Sequence, residues 1–447
     1  MKYFGLLIIR EAKKLLKTIL FSRFNYFSFL FCASLISLSQ RSDSTINKTW
    51  VGLEKRIDSV ISNAINHEAF PGCVVYAARQ DSVFFHKSYG YHTYDSITEV
   101  KKDDVYDLAS ITKVVGGTLA LMKLYDDELI RLDDPIREYV RGIKGKVGKV
   151  TIREALAHQG GLYPWIPYHQ VIRKSDGTFR QKDFRETYAE SHEFKVAEGL
   201  FLANEFYEKR VKKLISKSDV QKNPSYKYSG LFFYLIPEIV ERLTGMDYES
   251  YLQKTFYEPL EAGTMGFNPL NRIPIDRIPP TEVDTFFRMS PIHGQVHDEG
   301  AIMMRGISGN AGLFSNAGDL GRVMNFLLCE GQVDSLRLLS KQSIALFTTA
   351  QYPNKGNRRG LGFDKPLINY DSLVSSVAKD ASFKSYGHSG YTGTLAWADP
   401  ASNLIFIFLS NRVYPTRANR SLYRLNVRPT IHQLLYDYLQ SNSWSID

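Results

Sequence analysis

The sequence predicts an α+β fold. One antiparallel sheet is built from both ends of the chain and flanked by helices, with a mostly helical segment inserted between the two halves. Two observations predict this. Strand-like pairs occur near both ends, "CVVYAAR" with "SVFFHKSYG" and "GTLAWADP" with "NLIFIFLSN", each with a helical pattern outside it. Between them, from about residue 115 to 340, the pattern is mostly helical.

Taken in order, residues 1–40 read as a signal peptide or signal-anchor. A basic stretch ending at Arg23 precedes the apolar run "FNYFSFLFCASLISLSQ", which is at the upper edge for a signal core and short for a spanning helix. The polar residues 41–49 read as a linker. The body then occupies 50–447, with an α/β part at about 50–114 and 341–447 and a helical part at about 115–340. Its first helix has apolar residues at Leu53, Ile57, Val60, Ile61 and Ile65 and stops before Pro71-Gly72. The first hairpin turns at "QDS" and the second at "ASN". A helical tail runs from about Val427 to Leu439. Residues 165–227 are charged and irregular and read as an elaborated surface or lid.

Composition bounds the function. Of 447 residues, 44% are apolar, enough for a sizeable core. The net charge is +9, but residues 1–48 hold eight Lys/Arg against two Asp/Glu, so the body is only mildly basic. Its charges are interspersed, with no clustered stripe or motif for nucleic acid. Three cysteines, Cys32, Cys73 and Cys329, give no CxxC spacing and no disulfide framework. Cys73 reads as a buried free thiol. His293, His297 and Asp298 lack convincing metal-ligand spacing and read as a cleft wall or as loop-fixing hydrogen bonds. No cofactor or metal is expected.

One tetrapeptide raises the question of chemistry. "SITK" places Ser110 and Lys113 three apart, on one face of a helix whose apolar residues lie on nearly all sides. Burial would lower the lysine's pKa and let it take the serine's proton. A serine at a helix start can equally be an N-cap. The chain also holds a second such tetrapeptide, "SVAK" at Ser376 to Lys379, with no buried helix after it. Context separates the two. After Ser110 come "LDDP", "LAHQGGL", Tyr228-Ser229-Gly230 before a helix, "ERLTG", "AGLFS", and His388-Ser389-Gly390 before the last hairpin. The Gly-rich stretch "GISGNAGLFSNAGDLGR" lacks the ending of a phosphate loop and reads as a tight chain crossing near the cleft.

This ordered set resembles the serine β-lactamase and penicillin-binding-protein superfamily, in its class C β-lactamase, D,D-peptidase and esterase branch, over residues 50 to 440. The resemblance implies an exported serine hydrolase of the periplasm or cell envelope, with membrane attachment through the N-terminal segment left open. It would act through an acyl-enzyme on a small-molecule or peptide amide or ester: a peptidoglycan-derived peptide, a D-amino-acid peptide, an ester or a β-lactam. It implies Ser110 as nucleophile, Lys113 as its base, and Tyr228 sharing the base role. His388, Ser389, Gly390 and Tyr391 would bind substrate, with the N–H groups of Ser110 and Tyr391 forming the oxyanion hole. Gly390 is expected to keep side chains out of the substrate's path. Three positions depart from the pattern. Gly230 stands where Asn is usual, Gly160 stands for a serine beside His158, and His388 stands for a lysine. His388 is expected to be cationic part of the time near neutral pH. His158 itself reads as a structural turn residue. The alternative reading is a catalytically inactive binding protein on the same scaffold.

Overall fold

A computed structural model describes residues 50–441. Residues 50–58 and 437–441 belong to one compact unit, in which Arg56 pairs with Asp437. Ser59–Tyr436 form the other, to which everything below refers. The predicted N-terminal signal segment lies outside the described residues.

Five strands form the main sheet: β1 (Gly72–Arg79), β2 (Ser82–Gly90), β3 (Tyr386–Ser389), β4 (Leu395–Asp399) and β5 (Leu404–Ser410), in the order β3-β4-β5-β1-β2. All neighbours are antiparallel, and β1 meets β5 in the register Val75↔Phe408. Both ends of the chain thus build one sheet, as the sequence predicts. The central strands β1 and β5 are buried almost throughout, which explains their continuous apolar runs. Their side chains still alternate. Val74, Tyr76, Ile405 and Ile407 enter the main core. On the opposite face Phe408 meets Phe70, and Phe406 meets His432.

Helix α1 (Ala317–Leu328) packs on the core face, and a Cβ at Gly321 would lie 2.8 Å from the Tyr76 ring. Glycine there lets helix and sheet approach closely. The C-terminal helix α2 (Val427–Ser441) lies against the other face up to Tyr436, which donates to the Asp399 carboxylate at 2.6 Å.

The middle of the chain, expected to be mostly helical, holds helices separated by long turns and loops, together with short strands. Phe194–Ala197 and Leu200–Leu202 form a hairpin turning at Gly199, whose φ is +63°, and Phe184–Arg185 adds a third strand. This falls inside the stretch read as irregular, because strands of two to four residues are too short to show a period. Tyr106–Asp107 pairs with Phe314–Ser315 and so draws the chain before Ser110 against the Gly-rich crossing.

His432 is buried, and burial pushes its pKa down to about 3. An unfolded histidine titrates near 6.5, so as pH falls below that value the unfolded chain binds the proton first. Denaturant melts should therefore show stability falling from pH 7 to pH 5, by up to about 1.4 kcal/mol per pH unit for each such histidine. His432→Asn should flatten that slope; an unchanged slope would show that His432 does not contribute.

Candidate active site

Ser110 lies in a single helical turn, Ala109–Ile111. The chain continues through a π-helical stretch, Lys113–Thr118, into a helix over Leu119–Asp126. All of Lys113–Thr118 is buried. Gly116 and Gly117 make this packing feasible: a Cβ at Gly117 would sit 2.9 Å from the Gly309 carbonyl, and one at Gly116 3.0 Å from Leu313. The Ser110 side chain caps no helix; the turn has no side-chain cap, which removes the N-cap reading.

Asp107 holds the turn in place. Its Oδ1 accepts the Ala109 N–H at 2.8 Å and its Oδ2 the His297 N–H at 2.7 Å. Ala109 takes a left-handed φ of +45°, uncommon outside glycine, directly before the serine. The loop after β3 is fastened to the same turn. Thr392 donates to the Asp107 carbonyl at 2.8 Å and Thr394 to the Leu108 carbonyl at 3.2 Å. Gly390 has a different reason from the expected one. A Cβ there would lie 2.0 Å from Thr394 Oγ1 and 2.6 Å from the Leu108 carbonyl, inside the protein and against the Ser110 turn. The glycine lets two loops meet and so sets Tyr391 beside Ser110.

Lys113 is 3% exposed. Its Nζ donates to Ser110 Oγ at 3.0 Å and to the Asn310 carbonyl at 2.9 Å, and it lies 5.5 Å from the ring centres of Tyr228 and Phe233. Asn310 is fixed in turn. Its amide donates to Tyr234 Oη at 3.1 Å and to Asp298 Oδ1 at 3.2 Å, and its Oδ1 accepts from Ser308 at 2.6 Å. "VHDEG" and "GISGN" are thus joined behind the lysine.

Tyr228 is packed against His158, with ring centres 4.6 Å apart, and faces His388 at 5.9 Å. His158 does occupy a turn, with φ +54°, and it also positions the tyrosine's loop: its Nδ1 accepts the Ser229 N–H at 3.3 Å and its carbonyl the Lys227 N–H at 3.0 Å. Gly160 is required beside it, because a Cβ would meet Val150 at 2.4 Å. Gly230, by contrast, faces open space, the nearest atom to a built Cβ being the Pro164 carbonyl at 4.0 Å.

His388 is 4% exposed, and its Nδ1 donates to the Ser389 carbonyl at 2.8 Å, which leaves Nε2 as an acceptor. That Nε2 is buried with no hydrogen-bond partner among the described residues. Burial, with Arg359 and Lys113 adding to it, pushes its pKa down to about 3. The expectation of a partly cationic His388 is therefore corrected: the imidazole is neutral at working pH. Ser389 is half-buried at the end of β3.

Ser110 and Tyr391 line a cavity of about 400 Å³ whose walls include Trp165, His297, Glu299 and Arg417. His297 is thus in the wall, while His293 fixes a loop through the Ile278 carbonyl at 2.5 Å. Arg417 is committed to Glu282 through Nε and Nη2 and to Glu299 at 2.8 Å. Burial would raise the Glu282 carboxyl, but hydrogen bonds from His297 and Arg417 outweigh it and hold its pKa down to about 2. A larger cavity of about 740 Å³, lined by Phe194, Glu238 and Arg305, includes neither Ser110 nor Lys113. The second tetrapeptide lies in a loop with Lys379 exposed.

A serine with a buried lysine at hydrogen-bond distance, set in an α+β fold of this topology, defines a serine hydrolase of the acyl-transfer kind. The chain belongs to the beta-lactamase family, whose model matches residues 57–428. A protein of Escherichia coli O157:H7 named "Putative D-alanyl-D-alanine carboxypeptidase" is 28% identical over 405 residues, covering 83% of this chain and 85% of its own. Two solved structures share the fold. The octameric penicillin-binding protein homologue from Pyrococcus abyssi has a TM-score of 0.58 at 19% identity, over 83% of this chain and 76% of its own. A simvastatin synthase mutant from Aspergillus terreus has a TM-score of 0.60 at 17% identity, over 87% of this chain and 98% of its own.

Sequence reasoning missed Asp107, Asn310 and Arg359, the last described below. Gly309 directly before Asn310 and Gly312 two residues after it were the available signal for a backbone approach. The contrasting glycines give a direct test. Gly390→Ala should lose activity and about 1–3 kcal/mol of stability through overpacking. Gly230→Asn should melt within about 0.5 kcal/mol of the parent. Thermal melts and ester turnover of both variants check this.

Proposed function

We propose that Ser110 is the nucleophile of an acyl-enzyme mechanism and that the substrates are peptides ending in D-alanyl-D-alanine. The observation that carries the mechanism is the 3.0 Å bond between Lys113 Nζ and Ser110 Oγ in a buried setting. Ser110 Oγ attacks the substrate carbonyl carbon, and its proton passes to the Lys113–Tyr228 pair. The oxyanion is received by the backbone N–H groups of Ser110 and Tyr391, where one such donor is worth about a hundredfold or more in rate. The C–N bond then breaks, the departing amine takes the proton, and the acyl group stays on Ser110. Water, deprotonated by the same pair, attacks the ester, and collapse frees the acid and restores the serine proton.

The name carried by the E. coli relative supports the D-alanyl-D-alanine substrate. A second reading, an esterase, is favoured by one observation. The neutral His388 offers no charge to a substrate carboxylate, and Arg417 is already held by two carboxylates. The basic-then-apolar order of residues 1–40 supports an exported enzyme acting in the cell envelope.

Release of D-alanine from a D-Ala-D-Ala peptide and turnover of p-nitrophenyl acetate should be measured side by side. The proposal expects both in the parent, and at least about a 10³-fold fall in kcat for Ser110→Ala. Ester turnover without D-alanine release would replace the peptide by the ester as substrate. Full activity in Ser110→Ala would overturn the mechanism.

A further inference from the structure

We infer that Arg359 is a positioning residue of this site: its buried guanidinium fixes the Tyr228 phenol and supplies a standing positive charge beside it. The inference rests on the reading of Tyr228 as the group that shares the proton with Lys113.

Arg359 is 5% exposed. Its guanidinium carbon lies 5.3 Å from the centre of the Tyr228 ring and 5.8 Å from that of Tyr226. Lys113 Nζ stands 5.5 Å from the Tyr228 ring. Tyr228 therefore has the buried Arg359 guanidinium and the Lys113 amino group over its ring and two histidines beside it. Both histidines are held neutral by burial, with Arg359 the largest charge lowering each. The negative charge facing Arg359 is the Asp364 carboxylate, 3.2 Å from its Nε, and Arg358 shares that carboxylate at 2.8 Å. One carboxylate against two guanidiniums leaves positive charge uncompensated beside Tyr228.

The arginine is also placed by both neighbours of the tyrosine. Asp364 is paired to Gly387, the residue before His388, by backbone bonds of 2.8 and 3.1 Å. The Arg359 N–H donates to Asn357 Oδ1 at 2.9 Å, and Asn357 Nδ2 donates to the Ala157 carbonyl, just before His158, at 2.9 Å. A shift of either loop would move the guanidinium with it. Nε meets Asp364 only as that 3.2 Å ion pair, and Nη1 makes no hydrogen bond among the described residues. Buried unpaired donors are costly and rare. The Asp364 pair runs through Nε and is shared with Arg358, so the cation's field also reaches Tyr228. Each proton that passes through Tyr228 leaves transient negative charge on its oxygen, and a fixed cation stabilises that charge without reorganising.

A double-mutant cycle with p-nitrophenyl acetate tests the link. Arg359→Gln should lower kcat by about 10–100-fold with KM changed less than about threefold, less than the loss of a direct oxyanion donor because Arg359 acts through Tyr228. Arg359→Lys, which keeps the charge but not the plane, should lose less, and it carries the test if thermal melts show Arg359→Gln unfolded. Placed on Tyr228→Phe, either change should cause no further loss. An equal fold-loss with and without the tyrosine would overturn the inference while leaving the acyl-enzyme mechanism standing. Full activity in Tyr228→Phe alone would overturn the role of the tyrosine itself.

Discussion

The buried Lys113 amino group organises the site. A polar group taken out of water is costly unless hydrogen-bond partners replace the solvent. Here two oxygens do so, Ser110 Oγ and the Asn310 carbonyl, with the faces of Tyr228 and Phe233 beside them. Each partner is held by something further out. Asn310 hangs from Asp298 and Tyr234, Ser110 from Asp107 and the Thr392–Thr394 loop, and Tyr228 from the His158 turn. The main sheet serves this arrangement by bringing β3, from the far end of the chain, next to a helix that starts near residue 110.

Electrostatically, charge within the site is supplied from fixed, buried positions. The two histidines beside Tyr228 are neutral, and the fixed cation over its ring is the Arg359 guanidinium. On the cavity side, Arg417 is locked between Glu282 and Glu299. A histidine-based acid limb near pH 6.5 in the rate profile is not expected from His388.

Much of this was legible in the sequence. Each hairpin announced itself by one strand with a near-continuous apolar run, and the order of Ser110-Lys113, Tyr228 and His388 distinguished the working tetrapeptide from the one at Ser376. What stayed hidden depends on tertiary packing. Arg359 sits in "NKGNRRGLGF", where two adjacent arginines look like a solvated surface, yet one of them is buried. The neutrality of His388 follows from burial and from Arg359, a residue 29 positions earlier, and no local pattern reports either. Gly390 showed that a glycine was needed but not whether substrate or protein backbone needed it.

The central claim is that acyl transfer runs through Ser110, and trapping the acyl group tests it most directly. The enzyme should be acid-quenched during turnover of an ester or penicillin, digested, and mapped by mass spectrometry. The account predicts one adduct, on the peptide bearing Ser110 and absent from Ser110→Ala. An adduct at Ser376 or elsewhere, or turnover that persists in Ser110→Ala, would contradict it.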